Sequence, residues 1–429
     1  MRYEPASAAL FQSNRLQLSE ILDPASVVIV HANDVMPSNA DGTLPFRQNS
    51  DLFYLTGIDQ EETVLVLWPR APNASDREVL FIRETSPELA IWEGPKLSQD
   101  EAQERAGLQS VRWTSSFEAH LHRVMPQVQT VYLLTNEHLR AEAVVETRND
   151  RFIKRCQRLY PLHRYERLAP LMNRLRPVKK AEEIKMTREA VEITRAGFER
   201  VLKFIKPGVG EWEIEAEYLH EFVRRRSRGF AYSPIVGSGA NACILHYLKN
   251  SGRCQDGEMV LMDVGAEYGN YNADMTRTVP VNGRFTPRQK EVYQAVLNVM
   301  RGANKILRPG MTMKAYQAEV VAMMAGELVA VGLISKKDYQ EKETRIAATR
   351  KYFMHGASHH LGLDVHDVCE AERPVEAGML FTIEPGIYIP EEKLGIRLEN
   401  NVHIGAEGNL DLFEAFPLEV DEIEEAMNS

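Results

Sequence analysis

The stretch MDVGAEYGNYNADMTRT (residues 262–278) carries two aspartates, Asp263 and Asp274, inside a pattern typical of paired β-strands. Residues 259–266 and 271–281 are rich in apolar and β-branched side chains, which favour strands. Turn-forming residues separate the two runs, as in a β-hairpin. The sequence therefore predicts two antiparallel strands, with one of the two carboxylates on each strand.

The loop of this hairpin determines which residues face each other. If Tyr268 and Gly269 form a two-residue loop, Asp263 lies directly opposite Asp274 on the same face of the sheet. Like charges that face each other across a strand pair are destabilising. A cation between the two carboxylates would remove that penalty, so the pair is a candidate metal site.

A second pair of carboxylates follows two further apolar runs. Glu384 lies in TIEPGIY (residues 382–388) and Glu399 lies in GIRLENN (residues 395–401), and residues 390–393 form a plausible turn between them. Charged side chains are unusual at the end of a buried strand. Their position predicts ligands rather than ordinary surface charges.

The histidines are concentrated in HGASHHLGLDVHD (residues 355–367), which holds four of the 12 histidines of the chain. His359 supplies the imidazole that completes a set of four carboxylates and one histidine. Such a set can hold two divalent cations that share a water molecule, and this arrangement produces a hydrolytic nucleophile at neutral pH. The other histidines would then contact the ligands or the substrate.

These motifs resemble the pita-bread metallohydrolases, which include methionine aminopeptidase, prolidase, aminopeptidase P and the metal-free creatinase. The order Asp, Asp, His, Glu, Glu matches the dimetal ligands of that family, and ILHYLKN (residues 244–250) resembles its proline-specific branch. The stretch FRQNSDLFYLTG (residues 46–57) is similar to the N-terminal domain of aminopeptidase P and fits it better than prolidase. The resemblance covers roughly residues 3–427.

We therefore expect a chain of the α/β (α+β) class in two parts. The resemblance implies an N-terminal creatinase-like α/β domain in residues 1–175 and a catalytic pita-bread domain in residues 176–429. The residue patterns agree, because strand-like runs alternate with helical stretches in the first part, at residues 26–31, 63–68, 78–82 and 131–134. Three long helices are expected in the second part, at residues 181–205, 288–307 and 313–331.

The resemblance also implies a cofactor and a reaction. Five residues would bind two divalent metal ions: Asp263, Asp274, His359, Glu384 and Glu399. The oxygen-rich ligand set favours Mn²⁺, with Co²⁺ and Zn²⁺ as alternatives. A metal-bridged hydroxide would hydrolyse the X–Pro bond of a peptide and release the N-terminal residue that precedes proline.

Further residues receive roles from the same resemblance. Glu384 would move the proton of the water to the leaving nitrogen, and His246 and His366 would donate hydrogen bonds to the transition state. Five residues would bind the substrate or close the site around it: His355, Tyr388, Arg397, Asp41 and Trp92. Closure of this kind often involves an oligomer interface, so a homo-oligomer, either a dimer or a tetramer, is expected.

The chain departs from the family pattern at three positions. Asn400 and Asn401 follow Glu399 where the family usually has two aspartates, which lowers the local negative charge. His360 stands after the ligand histidine, where an aromatic residue is usual. The alignment of the motif still favours His359 as the ligand.

Composition excludes several other classes of protein. The formal net charge of −10 gives no basic region for nucleic acid. No apolar run is long enough to span a membrane, and the first residues contain no signal-peptide core. The 4 cysteines are far apart, which is typical of thiols in a reducing compartment, and a cytoplasmic location is expected.

Two alternatives to the aminopeptidase remain open. A prolidase would cleave X–Pro dipeptides and would need a group, such as Arg397, that binds the free carboxylate of proline. A non-catalytic binding protein on the same fold is less consistent with a complete set of ligand residues.

Overall fold

The structure is a computed structural model that describes residues 2–138, 140 and 143–429. The chain forms two compact units, one made of Pro5–Arg176 and the other of Met1–Glu4 with Pro177–Ser429. Within the described residues, no helix combines the length and the apolar character needed to cross a bilayer. Each unit is built around its own sheet or sheets.

The N-terminal unit contains one mixed sheet in the strand order β4-β3-β2-β1-β5-β6. Its central strand β1 is buried along its whole length, so both faces of the sheet are covered. The strands predicted at residues 26–31 and 78–82 are confirmed, and those at 63–68 and 131–134 are confirmed within one or two residues. The six strands are β1 (Ser26–His31), β2 (Val64–Leu67), β3 (Glu78–Ile82), β4 (Ser110–Trp113), β5 (Thr130–Leu133) and β6 (Arg164–Arg167).

The described residues of this unit form seven α-helices: α1 (Ala8–Ile21), α2 (Ser50–Thr56), α3 (Pro87–Glu93), α4 (Gln99–Ala106), α5 (Phe117–Val124), α6 (Arg148–Leu159) and α7 (Ala169–Leu175). Helix α2 shows why the sequence places its ends where it does. The side chain of Asn49 accepts hydrogen bonds from the first backbone amides, and Gly57 ends the helix at φ 65°. A Cβ at Gly57 would lie 2.2 Å from the ring of Phe11, so glycine is required there.

The second unit contains the helices α8 (Ala181–Phe204), α9 (Glu211–Arg224), α10 (Pro287–Ile306), α11 (Met313–Ala330), α12 (Lys336–Gln340), α13 (Lys342–Arg350) and α14 (Val420–Asn428). The three helices predicted from the sequence are confirmed within one residue at each end. Helix α10 begins with a capping box between Thr286 and Gln289. The buried residues of α8 recur every three or four positions, which is the spacing of one helical face.

The strands of the second unit form two three-stranded sheets, in the orders β11-β8-β7 and β12-β15-β16, and two separate antiparallel pairs, β9-β10 and β13-β14. An isolated bridge between Thr276 and Glu399 connects the edges of these layers. The expected combination of an α/β unit with a second mixed unit is confirmed. The ten strands are β7 (Ile235–Ser238), β8 (Met259–Val264), β9 (Glu267–Tyr268), β10 (Tyr271–Asn272), β11 (Met275–Pro280), β12 (Leu380–Ile383), β13 (Gly386–Ile389), β14 (Leu394–Arg397), β15 (Asn400–His403) and β16 (Leu410–Asp411).

Candidate metal centre

The predicted hairpin forms, but its register differs from the expected one. The loop consists of Gly269 and Asn270, both with positive φ (58° and 68°), so Asp263 pairs with Thr276 instead of Asp274. The prediction that Asp263 pairs directly with Asp274 was therefore wrong by two residues. Because side chains alternate with a period of two, this shift keeps both carboxylates on one face.

Glycine makes room for Asp274 in this hairpin. The register continues through the hydrogen bond from the Ala273 amide to the carbonyl oxygen of Ala266 (3.0 Å), which places Gly265 opposite Asp274. A Cβ on Gly265 would lie 1.8 Å from the carbonyl oxygen of Ala273. The close approach of the two strands beside Asp274 consequently depends on glycine.

The hydroxyl of Tyr232 lies between the two aspartates, 2.6 Å from Oδ1 of Asp263 and 2.5 Å from Oδ1 of Asp274. Burial and the neighbouring carboxylates Asp263, Asp274 and Glu399 raise the pKa of Tyr232 well above its ordinary value, so the hydroxyl keeps its proton. A single proton serves only one carboxylate at a time. Tyr232 belongs to none of the sequence motifs, so no local pattern pointed to it.

A compact cluster forms around Asp274. One ligand atom each from Asp274, His359 and Glu399 lie within 4.8 Å of one another. Nε2 of His359 is 3.5 Å from Oδ2 of Asp274 and 3.6 Å from Oε1 of Glu384. Residues from three distant parts of the chain therefore converge on one point.

The hydrogen bonds of His359 fix which ring nitrogen faces this point. Its Nδ1 donates to the carbonyl oxygen of His360 (2.9 Å), because a carbonyl oxygen can only accept. When the ring is neutral, Nε2 carries the lone pair that a metal ion would use, which is the usual arrangement for a histidine ligand. The ring of His360 packs instead on Phe381, with 4.2 Å between the ring centroids.

The two glutamates are placed by the ends of strands. Glu384 follows β12, and Glu399 follows β14, where its backbone amide donates to the carbonyl oxygen of Thr276 (3.0 Å). The hydroxyl of Thr276 donates to Oε2 of Glu399 (2.7 Å). Two glutamates on separate strands thus reach the same cluster.

The pKa shifts of the buried carboxylates indicate whether the cluster suits metal ions. The pKa of Glu384 is raised to about 7, mainly because the carboxyl group is buried. The charges of His359 and Arg397 lower this pKa, and those of Asp274 and Asp263 raise it. Burial and the other carboxylates raise the pKa of Glu399 well above its ordinary value. Carboxylates that repel one another in a buried place are stabilised by a cation. Together with the orientation of His359, the oxygen-rich donor set therefore fits divalent metal ions.

Arg397 and Tyr388 lie behind the cluster. Tyr388 is fully buried and Arg397 is 4 % exposed, and their contact with a substrate stays a prediction. The guanidinium donates to Asp263, to the hydroxyl of Tyr388 (2.9 Å) and, through Nε, to the hydroxyl of Thr276 (3.1 Å). These three hydrogen bonds hold the guanidinium beside Asp263.

His355 continues this chain of hydrogen bonds. Its Nδ1 donates to the carbonyl oxygen of Gly356 (2.8 Å), and its Nε2 accepts from the hydroxyl of Tyr388 (2.8 Å). Burial and the charge of Arg397 lower the pKa of His355 to about 3. The imidazole is therefore neutral and oriented by Tyr388.

The remaining predicted residues are exposed. His366 lies beside His359, with ring centroids 4.3 Å apart, and His246 is close enough to His355 to lower its pKa. Asp41 and Trp92 belong to the N-terminal unit, in a loop and in helix α3 respectively. Trp92 is 88 % exposed.

Sequence comparison identifies two known families along the chain. The sequence model of metallopeptidase family M24 matches residues 185–406, and that of the aminopeptidase P N-terminal domain matches residues 11–132. The Xaa-Pro aminopeptidase of Escherichia coli (strain K12) is 37% identical over 430 residues, which cover 97% of each chain. Xaa-Pro aminopeptidase 3 of Homo sapiens is 30% identical over 93% of this chain and 80% of its own.

Comparison of structures agrees. The zinc-substituted aminopeptidase P of E. coli in complex with product superimposes with a TM-score of 0.88 and 34% sequence identity, over 99% of each chain. All five predicted ligands lie within the residues that the M24 family matches.

Proposed function

Because this chain belongs to metallopeptidase family M24 and carries an aminopeptidase P N-terminal domain, we propose that it releases the N-terminal residue of peptides whose second residue is proline. It is a metallopeptidase, and the finer proposal concerns its substrate. The convergence of Asp274, His359 and Glu399 within 4.8 Å is the observation that carries the proposal.

The proposed cofactor is a pair of divalent cations held by Asp263, Asp274, His359, Glu384 and Glu399. When bound, such ions lower the pKa of a water molecule and polarise the scissile carbonyl group. The ligand set, with four carboxylates and one imidazole, favours Mn²⁺. The Nδ1 hydrogen bond of His359 supports its role as the nitrogen ligand.

Glu384 is the proposed proton carrier. Its Oε1 lies 3.6 Å from Nε2 of His359, inside the cluster, and this position supports a role in moving a proton between the attacking water and the substrate. The nitrogen of an X–Pro bond carries no hydrogen of its own, so the leaving proline must receive a proton. Glu384 would deliver it there after removing it from water.

His246 and His366 are proposed to donate hydrogen bonds to the scissile carbonyl oxygen as negative charge develops on it. Both are exposed, and His366 lies directly beside the ring of His359. For Tyr388 and Arg397 we keep the proposed contact with the substrate and add a positioning role, since their hydrogen bonds reach Asp263 and His355. His355, which is half-buried, keeps a proposed substrate contact.

The N-terminal unit is proposed to help close the site in a homo-oligomer. Ile91 and Trp92 are 79 % and 88 % exposed on helix α3, none of whose residues is buried. Exposed aromatic side chains of this size are typical of interfaces. Asp41, in an exposed loop of the same unit, is assigned the same role.

The domain limits and the location of the protein are also proposals. We retain residues 1–175 and 176–429 as the functional domains, supported by the separation of the two compact units at Arg176 and Pro177. All four cysteines are free thiols, which supports a reducing compartment such as the cytoplasm.

Hydrolysis of Ala-Pro-Ala and Ala-Pro by metal-stripped protein, before and after addition of Mn²⁺, tests the proposal. Manganese-dependent release of alanine from the tripeptide is expected. Cleavage of the dipeptide alone would identify a prolidase instead. No cleavage with Mn²⁺, Co²⁺ or Zn²⁺ would contradict both activities and indicate a binding role.

A further inference from the structure

A buried carboxylate outside the metal centre collects five hydrogen bonds. Glu211, the first residue of helix α9, is fully buried. Its Oε1 accepts from the amide (2.8 Å) and hydroxyl (3.1 Å) of Ser238 and from Nδ2 of Asn241 (2.9 Å). Its Oε2 accepts from the hydroxyl of Tyr247 (2.9 Å) and the amide of Gly252 (2.6 Å).

All five donors are neutral, and all lie between residues 238 and 252. A buried carboxylate is costly unless hydrogen bonds compensate for the lost water. Here all the compensating hydrogen bonds come from one segment, residues 238–252, which surrounds the carboxylate. A Cβ on Gly252 would lie 2.8 Å from Oε1 of Glu211, so the segment is fitted closely to this group.

The same segment carries His246. Tyr247 is buried at 8 % exposure, whereas its neighbours Ile244 and Leu248 are 52 % and 56 % exposed and His246 is exposed. The hydroxyl of Tyr247 is bound to Glu211 and also accepts from Asn241 Nδ2 (3.0 Å). Tyr247 is thus fixed inward, while the adjacent imidazole of His246 is exposed.

A second carboxylate of α9 holds the end of the segment. Oε2 of Glu215 accepts from Nδ2 of Asn250 (2.8 Å), whose Oδ1 accepts from the amide of Val236 (2.9 Å). Glu211 and Glu215 are four residues apart, which places them on one face of the helix. The segment is thus attached to α9 at two points, with His246 between them.

The segment also follows directly from the sheet that carries the metal ligands. Strand β7 pairs with β8, and Ile235 lies opposite Asp263 in this pairing. A short 3₁₀ turn (Gly239–Cys243) then packs against β14, where a Cβ on Gly395 would lie 2.2 Å from the carbonyl oxygen of Ala242. The position of His246 relative to Asp263 is therefore set by the conformation of residues 238–252.

We propose that Glu211 is a positioning residue, whose buried carboxylate holds residues 238–252 so that His246 can reach the scissile carbonyl group. The inference rests on the proposed function, which assigns that contact to His246. A glutamine at position 211 would turn an NH₂ group toward donors that now bind an oxygen, and the segment would move. A displacement of about 1 Å at a reacting group can lower a rate by roughly a hundredfold.

A double-mutant cycle with the manganese-loaded full-length protein tests the inference. Glu211→Gln is expected to lower kcat for Ala-Pro-Ala by about tenfold to a hundredfold, with the content of bound manganese unchanged. In a protein that already carries His246→Ala, Glu211→Gln should lower kcat no further. Losses that multiply in the double variant would overturn the inference, because Glu211 would then act independently of His246.

Glu213→Gln is the matched control. Glu213 lies on the same turn of α9 and accepts from the amide of Gly210 (2.7 Å), but it makes no hydrogen bond with residues 238–252. Its kcat should equal that of the wild type. Tyr247→Phe provides a milder variant that removes one of the five donors, and its smaller loss should also vanish in the His246→Ala background.

Hydrogen–deuterium exchange separates this inference from the proposed function. Exchange in peptides that span residues 238–252 should accelerate in Glu211→Gln and remain as in the wild type in Glu213→Gln. If the wild type released no alanine, the proposed function would fail, yet exchange would still report on the anchoring. Unchanged exchange in Glu211→Gln would overturn the inference whatever the activity.

Discussion

The side chain of Asn401 binds both backbone polar groups of Asp274. The Asp274 amide donates to Oδ1 of Asn401 (3.1 Å), and Nδ2 of Asn401 donates to the carbonyl oxygen of Asp274 (2.6 Å). Only a carboxamide can make this pair, because a carboxylate has no hydrogen to donate. Asn401, where the chain departs from the family pattern, thus holds the backbone of a proposed metal ligand.

Asn401→Asp should destabilise the metal-free protein. The carbonyl oxygen of Asp274 would lose its donor, and a further negative charge would be buried beside Glu399. We expect the free energy of unfolding to fall by about 1–3 kcal/mol, measured by urea denaturation without metal. Saturation with Mn²⁺ should reduce the difference. Asn136→Asp, an equal charge change at an exposed position of the N-terminal unit, should alter the free energy by less than about 0.5 kcal/mol.

Tyr232→Phe should weaken metal binding without removing a ligand. The variant loses the hydroxyl that lies within hydrogen-bonding distance of both carboxylates and donates to one of them at a time. Loss of such a supporting hydrogen bond usually lowers metal affinity by about 10- to 100-fold, which a Mn²⁺ titration would measure. Tyr218→Phe is the control, since its buried hydroxyl faces Sδ of Met262 (3.8 Å). Equal affinity in the Tyr232 variant and the wild type would contradict this role.

Asp274→Ala should abolish both metal binding and turnover. Ligand binding to the folded state stabilises it, by about 2.7 kcal/mol at a hundred times the Kd. The wild type should therefore melt at a higher temperature with Mn²⁺ than without it, and the variant should show no such rise. Asp256→Ala, at an exposed position, should keep the rise. Full activity in Asp274→Ala would exclude the dimetal centre.

Acid should destabilise the protein through His31. Burial and the charge of Arg148 lower the pKa of this imidazole to about 3, and its Nε2 has no partner among the described residues. An unfolded histidine takes up a proton near pH 6.5, so between pH 6.5 and pH 3 the unfolded state binds more protons. Stability contributed by the neutral ring is present above pH 6.5 and is lost as the pH falls.

His31→Leu should reduce this pH dependence. From pH 7 to pH 5 the free energy of unfolding should fall by about 2 kcal/mol less in the variant than in the wild type, by urea denaturation at both values. His122→Leu, at an exposed position of the same unit, should leave the dependence unaltered. Equal slopes in the His31 variant and the wild type would show that another group causes the acid sensitivity.

Trp92→Ala should favour smaller species if the exposed side chain of Trp92 is covered by a second copy of the chain. Aromatic residues at the centre of an interface commonly contribute more than 2 kcal/mol, so the dissociation constant should rise at least about tenfold. Sedimentation velocity over a range of concentrations measures this. Leu162→Ala is the control, because Leu162 is 98 % exposed on the same unit. An unchanged distribution for Trp92→Ala would remove the proposed interface.

Much of the fold follows from local patterns in the sequence. The predicted strand of residues 26–31 and the helices that begin near Ala181 and Met313 occur within a residue of their expected positions. Side-chain periodicity, capping residues and glycine or proline at the ends act over a few neighbours, so one sequence is sufficient to identify them. The ligand types of the cluster follow from motifs in the same way.

The sequence by itself determined which residues are candidates to bind metal, and only the tertiary structure decided how their side chains are held. The hairpin loop at Gly269 and Asn270, one residue later than expected, moved the partner of Asp263 to Thr276. The contacts of Tyr232 and Asn401 with Asp274 join parts of the chain up to 127 residues apart. Arg397 is likewise buried by residues that are distant in the sequence. No local pattern reports such contacts, because they depend on how whole strands and helices pack.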